Sequence, residues 1–213
     1  MSGARAVVFD CDGVLVDSEP ISERAWSTVL GRLGYAPTDG DFAAIRGTTS
    51  ADTLAYFERL VTMPPGVDIH ASIGEVREAL YDDELEAFPD AVGAVRALAA
   101  EGVPLAVASS SSRTTLDGKL ARFDLHRYFD VTVAGDEVRM GKPAPDLFLA
   151  AASGMGVDPG ACLAIDDTEL GADAAIAAGM RTVLLARDGR LSTRYTAVSE
   201  LDAELVLHWL GLR

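Results

Sequence analysis

The sequence predicts an α/β fold: a Rossmann-like parallel sheet core with an inserted small α-helical cap domain. Three observations predict it. Short apolar, β-branched runs alternate with helical patterns over the C-terminal part of the chain, which argues for a parallel sheet covered on both faces. From about Ser18 to Phe88 the periodicity is helical and no convincing buried strand occurs. Acidic residues also stand in pairs where apolar runs stop, the side on which open α/β sheets bind ligands.

In chain order, Ala6-Val7-Val8-Phe9 is apolar, stops at Asp10 and reads as a buried strand. Next, Ile21, Ala25, Val29 and Leu33 recur every four residues, and Trp26 and Leu30 widen the stripe into that of an amphipathic helix. The stretches Asp52 to Val61 and Ile73 to Ala87 read likewise. Several consecutive helices make an unusually long connection between two strands. They are therefore expected to form a lid over the C-terminal edge of the sheet. The core then comprises residues 1–16 and 89–213, and the cap residues 17–88, with hinges near Val16-Asp17 and Phe88-Pro89. Further strands are expected at Val103 to Ala108, Val131 to Val133, Ala161 to Ile165 and Thr182 to Leu185. Helices are expected at Asp90 to Ala100, Arg113 to Phe123, Pro145 to Met155, Leu170 to Ala178 and near Glu200 to Leu210. Pro145 suits a first helical turn, and Gly102 and Gly179 suit C-terminal caps.

The 213 residues lie between one and two average domains of about 150 residues each. A formal net charge of -15 sets the surface against nucleic acid and anionic lipid. An anionic substrate would need positive charge focused locally, by a metal, a lysine or backbone N–H groups. Cys11 and Cys162 both lie in apolar runs and suggest a reducing compartment rather than a disulfide framework. Three scattered histidines and no Cys-x-x-Cys make zinc an unsuitable cofactor. Met1 runs almost directly into a strand, leaving no room for a signal peptide, and no apolar run approaches the roughly 20 residues of a membrane span. A cytoplasmic monomer or weak dimer is expected.

The most informative segment is Asp10-Cys11-Asp12-Gly13-Val14-Leu15-Val16-Asp17. A turn beginning at Asp10 lets the Asp10 and Asp12 carboxylates approach one ligand. Close carboxylates raise one another's proton affinity. A bound cation would keep one ionised as a nucleophile while the other carries a proton. Asp17 stays open between this site and the N-cap of the first cap helix, because Asp is a common cap. Unpaired carboxylates at a strand end cost stability, which favours a functional reading for Asp10 and Asp12. At the second strand end, Ser109 and Ser110 offer a hydroxyl and backbone N–H groups to an anion. Ser111 or Ser112 is expected to cap the helix that follows. Lys142 stands between Gly141 and Pro143, and Asp166-Asp167 close the fourth core strand as a second acidic pair.

These segments resemble, in order, the four motifs of the haloacid dehalogenase-like superfamily. The first, extended through Ser18 and Glu19, is most similar to the β-phosphoglucomutase-like branch, which includes many sugar-phosphate phosphatases. The resemblance spans nearly the whole chain. It implies that Asp10 becomes an aspartyl-phosphate, that Asp12 is general acid and then general base, and that Ser109, Ser110 and Lys142 bind the phosphoryl group. It also implies a Mg2+ site built from the Asp10 carboxylate, the Asp12 backbone carbonyl, Asp167 and Asp166, the last through a water. Which of Asp166 and Asp167 is the nearer ligand stays open. The hard-oxygen set suits Mg2+.

Asp12 separates the chain from the superfamily's dehalogenases, which lack an acid there. The absence of lysine from residues 14–118 separates it from the phosphonate-cleaving branch. Arg46-Gly47-Thr48 resembles the family's substrate loop, so Glu19, Arg46, Gly47 and Thr48 are candidate substrate contacts; Arg46 reads equally as a solvated helix end. Mutases carry an arginine where this chain has Ser50 and a histidine where it has Ser22. Hydrolysis of a small phosphorylated metabolite is therefore expected ahead of phosphomutase activity. The non-enzymatic alternative is a phospho-accepting signalling module, but such modules place the nucleophile on a middle strand and lack an insertion of this length.

Overall fold

The computed structural model describes residues 5–45, 48, 50–189 and 192–213. The elements are β1 (Ala6–Phe9), β2 (Val16–Asp17), α1 (Glu19–Arg32), α2 (Asp39–Ile45), α3 (Ser50–Glu58), α4 (Ile69–Glu84) and β3 (Glu86–Ala87). They continue through α5 (Pro89–Ala100), β4 (Leu105–Ala108), α6 (Arg113–Arg122), β5 (Val131–Val133) and α7 (Asp146–Met155). The last are β6 (Cys162–Asp166), α8 (Glu169–Ala177), β7 (Arg181–Leu185), β8 (Thr196–Val198) and α9 (Ala203–Leu210). The chain divides into two compact units, one of residues 1–16 and 87–213, the other of residues 17–86. The chain crosses between them at β2 and β3, which pair as a two-stranded sheet.

The first unit holds a six-stranded sheet in the order β5-β4-β1-β6-β7-β8, parallel at every pairing. Val8 lies opposite Ala106 on one neighbour and Ala164 on the other. Strand order runs outward from β1 through β4 to β5, then returns to β1's other side with β6. The β1/β6 boundary is therefore the switch point, where such sheets open a crevice at their C-terminal ends. Both faces of the sheet are dry. Ala6, Val8, Ala106, Ala108, Cys162 and Ala164 pack against Leu147, Phe148 and Ala151 of α7 and Ala174 and Ala175 of α8. The small strand residues let these helices approach closely. The alternate set Val7, Phe9, Leu105, Val107, Leu163 and Ile165 is equally buried, as the two-residue period of a strand requires.

Local signals account for most boundaries. Gly102 and Gly179 take positive φ just past α5 and α8, and Ser112 caps α6 by accepting from the Thr115 N–H. The alternative left open for Asp17 is resolved: it lies in β2, and Ser18 holds the N-cap position of α1 without a side-chain cap bond. Two further points depart from expectation. Pro145 is the N-cap residue of α7 rather than a residue of its first turn. The edge strand β8 was not expected. Its three part-exposed residues are too few for an alternating pattern to register, and pairing with β7 alone makes it a strand.

In the second unit, α1 packs on α4 around Trp26, Val29, Leu30, Phe57, Ile69 and Ile73. Trp26 stacks on Phe57 at 5.1 Å, and Tyr35 and Tyr56 meet Phe57 edge-on. Beside this cluster the Asp41 carboxylate accepts from the Thr38 N–H and hydroxyl (both 2.7 Å), the Tyr35 hydroxyl (3.1 Å) and the Tyr56 hydroxyl (2.7 Å). It thereby ties α2 to α3. The Thr38 backbone and side-chain donors, with the tyrosine hydroxyls, hold Asp41 down to about 2 from an ordinary 3.8.

A depressed carboxylate stabilises the fold above its unfolded pKa and stops doing so as pH falls through its folded value. The helical unit is thus expected to lose stability between about pH 4 and pH 2 through Asp41. Denaturant titrations of Trp26 fluorescence in a Trp209→Phe background, repeated across that window, measure it. Asp41→Asn should lower the midpoint at neutral pH and flatten the acid dependence. Parallel acid profiles for parent and variant would exclude this role.

Candidate active site

Four segments from distant parts of the chain meet at the switch point. The Asp10 N–H donates to Ile165 O at 2.9 Å, so the β1–β6 ladder continues to Asp10 itself. Beyond it the backbone turns tightly. Leu15 and Val16 N–H both donate to Cys11 O, Gly13 N–H donates to Val16 O, and Gly13 takes φ +72°. A Cβ on Gly13 would stand 2.1 Å from Asp167 Oδ2. Only bare backbone lets the Asp167 carboxylate lie against this turn. Gly171 does the same for Asp166, whose carboxyl carbon would stand 2.0 Å from an added Cβ.

Lys142 joins the two strand ends. Its buried ammonium donates to Asp10 Oδ1 at 2.8 Å and to Asp166 Oδ2 at 2.7 Å. The other Asp166 oxygen accepts from the Thr168 N–H (3.0 Å) and hydroxyl (2.8 Å), while the Thr168 hydroxyl oxygen caps α8 by accepting from Gly171 N–H. Asp166 is thus committed on both oxygens. Asp167 makes no hydrogen bond among the described residues, which leaves it the better placed of the pair to face an ion.

The electrostatics are unbalanced. Burial pushes the Asp10 carboxyl up to about 7; Lys142 opposes this, while the charges of Asp166 and Asp12 add to it. Burial also raises Asp167 well above the carboxylate range, reinforced by Asp166 and Asp10 and opposed by Lys142. Burial by itself would lower Lys142, but Asp10 and Asp166 outweigh it and hold the ammonium protonated. Asp10, Asp166 and Asp167 each offer an oxygen, all within 4.8 Å of one another. Three clustered carboxylates against one ammonium leave excess negative charge with hard-oxygen donors, an arrangement that fits a small divalent cation. Cys11, between the two aspartates, is kept a thiol by burial first and then by the Asp12 charge, so it is no competing nucleophile.

The remaining candidates fall as follows. Ser109 is fully buried at the end of β4, its hydroxyl oxygen accepting from Ser111 N–H at 3.1 Å; Ser110 is exposed. The Asp12 carboxylate is not in the three-carboxylate cluster. It turns instead to the Ser111 hydroxyl (3.0 Å) and to the Lys119 ammonium. Glu19 is exposed in the first turn of α1, and the Thr48 hydroxyl donates locally to Ile45 O at 2.7 Å. Arg46 and Gly47 lie outside the described residues.

Lys119 and Ser111 were not anticipated as site residues. A signal for Lys119 exists: with Leu116 and Leu120 it occupies the apolar stripe of α6, where a lysine is out of place. Composition gives a second signal. Of 18 basic residues only Lys119 and Lys142 are lysines, and both are buried against aspartates.

Comparison with known proteins agrees with this geometry. The family model described as haloacid dehalogenase-like hydrolase matches residues 4–179. Fructose-1-phosphate phosphatase YqaB of Escherichia coli (strain K12) is 35% identical over 181 residues, 83% of this chain and 94% of its own length. The 6-phosphogluconate phosphatase of the same organism is 32% identical over 192 residues, 88% of this chain and 85% of its own. CbbY from Rhodobacter sphaeroides, solved in complex with phosphate, superposes with a TM-score of 0.87 at 27% identity, covering 98% of this chain and 100% of the other. With acidic strand ends bridged by a lysine on a parallel sheet, and a family model matching most of its length, the chain belongs to the haloacid dehalogenase-like hydrolases.

Proposed function

We propose that this phosphohydrolase cleaves a small phosphorylated metabolite, a sugar phosphate or close analogue, through an aspartyl-phosphate on Asp10 with Mg2+ as cofactor. One observation carries the reading: the Lys142 ammonium bridges Asp10 and Asp166 where three carboxylates lie within 4.8 Å of each other. Such an arrangement binds cation and phosphate together. The sugar-phosphate class is taken from the relatives, two of which are named as phosphatases of fructose 1-phosphate and 6-phosphogluconate.

In the first step an Asp10 oxygen forms a bond to phosphorus. The bridging P–O bond breaks, and its electron pair stays on the leaving oxygen, which takes the proton of Asp12. In the second step Asp12 accepts a proton from water as the water oxygen bonds to phosphorus and the Asp10–phosphorus bond breaks, releasing inorganic phosphate. Lys142 neutralises Asp10 and the phosphoryl oxygens, and the Ser109 hydroxyl with the backbone N–H of Ser110 holds the phosphoryl group. A bound Mg2+, held by Asp10, Asp167 and the Asp12 carbonyl, would offset charge on these oxygens and keep Asp10 ionised despite its burial. Asp166 acts on the metal indirectly, by fixing Lys142 and the start of α8. Selection among leaving groups is assigned to the helical unit of residues 17–86. Its 14 acidic and five basic residues disfavour a second phosphate group, so a monophosphate suits it better than the bisphosphate a mutase must hold.

Release of inorganic phosphate from a panel of sugar phosphates, phosphorylated sugar acids and nucleotides, with and without Mg2+, tests the assignment. Asp10→Asn should lower turnover by about 10³-fold or more, and mass spectrometry of acid-quenched parent enzyme should find one added phosphoryl group. Full activity in Asp10→Asn would falsify the covalent route. The two later aspartates should separate. Asp167→Asn should raise the half-saturating Mg2+ concentration by about 10–100-fold with a near-parental melting temperature. Asp166→Asn should instead lower the melting temperature, because a buried lysine loses a partner. Identical Mg2+ titrations of parent and Asp167→Asn would remove Asp167 from the ligand set.

A further inference from the structure

We propose that Lys119, acting with Ser111, is a positioning residue that fixes the Asp12 carboxyl group in the orientation needed to protonate the leaving oxygen; this rests on the phosphatase reading above. Lys119 Nζ donates to Asp12 Oδ1 and, at 3.0 Å, to Ser111 Oγ. The Ser111 hydroxyl in turn donates to Asp12 Oδ2 at 3.0 Å. Both carboxyl oxygens are thus held, one by Ser111 of the β4–α6 connection and one by Lys119 of α6, 99 and 107 residues away in the chain. Because the Ser111 N–H also donates to Ser109 Oγ, the same short segment orients both the acid and the phosphate-binding hydroxyl.

Stability alone gives a poor account of this lysine. It is 2% exposed on the face of α6 that Leu116 and Leu120 bury. Dehydrating an ammonium there is costly, and replacing a buried ion pair with an apolar side chain of similar volume is often neutral or favourable. An apolar residue would therefore serve the helix as well. The chain otherwise uses arginine for its cations, and its other lysine sits on the nucleophile. Asp12 itself is anchored from within and open without: its side chain keeps 36% exposure while Lys119 has almost none. A carboxyl group gripped from beneath presents its outer edge to a ligand in one orientation, which is what a proton donor to a bound ester requires.

The leaving group supplies a readout that loose packing does not move. A sugar alkoxide needs a proton to depart, whereas 4-nitrophenolate leaves readily without one. Misplacing Asp12 should therefore harm the two esters unequally. Parent, Lys119→Met and Ser111→Ala enzymes are compared by kcat/KM on fructose 1-phosphate and 4-nitrophenyl phosphate with saturating Mg2+. Lys119→Met should lose about 10²-fold on the sugar ester and under about tenfold on the aryl ester, with Ser111→Ala shifting the ratio in the same direction. Equal losses on both esters, or none, overturn the proposal. Should Lys119→Met fail to fold, Ser111→Ala alone decides by the same ratio. If fructose 1-phosphate is not cleaved, the best sugar ester of the panel replaces it; if the parent hydrolyses no ester of the panel, the phosphatase reading is what fails. A crystal structure of Lys119→Met/Ser111→Ala then judges the clamp without turnover: an Asp12 carboxyl in its parental rotamer overturns the proposal, and a displaced one supports it.

Discussion

The Lys142 ammonium is the interaction on which the site depends. Asp10 and Asp166 end adjacent parallel strands, and their carboxylates would repel one another in a dry crevice. A buried lysine shared between them makes the pairing tolerable. It does so incompletely, since Asp10 remains pushed up to about 7 and Asp167 remains raised. The fold thus holds these clustered carboxylates in an electrostatically unfinished state, which a cation and a phosphoryl group together would complete. Stored charge imbalance of this kind is typical of functional rather than structural clusters.

The sheet topology explains why this imbalance can be sustained. A parallel sheet covered on both faces gives β1, β4 and β6 a fully buried base, and the strand order reverses at the β1/β6 boundary, where the site lies. The ladder bond from Asp10 N–H to Ile165 O extends that base to Asp10. Arg187 reinforces the next turn. It donates to the carbonyls of Gly13 and Val14, pairs with Asp90 at the start of α5 and stacks on Phe88 with its guanidinium 3.6 Å from the ring centroid. The loop that follows Asp12 is therefore braced by Arg187 as well as by the Lys119 contact.

Two cations of different chemistry divide the work. Arginine, with its planar fork, makes the outward networks, as where Arg113 joins α6 to Glu137 and Thr132. Lysine, a compact point charge, is reserved for the two carboxylates that carry the proposed chemistry, and in both pairs the lysine is buried.

The order of residues was enough to give the strands that end in aspartate, the alternation that makes the sheet parallel and the long helical insertion. These are local or periodic properties, because burial imposes its period on the chain and turn chemistry marks where each element stops. The grouping of Asp10 and Asp12 with Ser109, Lys142 and Asp166-Asp167 followed instead from the resemblance to the family's motifs. Tertiary structure alone decided three things: that Asp166 is engaged by Lys142 and Thr168 while Asp167 has no hydrogen bond among the described residues, that Asp12 turns away from the carboxylate cluster, and that the buried Lys119 reaches it. Each is a choice of partner between segments tens of residues apart. Such choices are set by side-chain direction and desolvation at the point of contact, and spacing along a chain records neither.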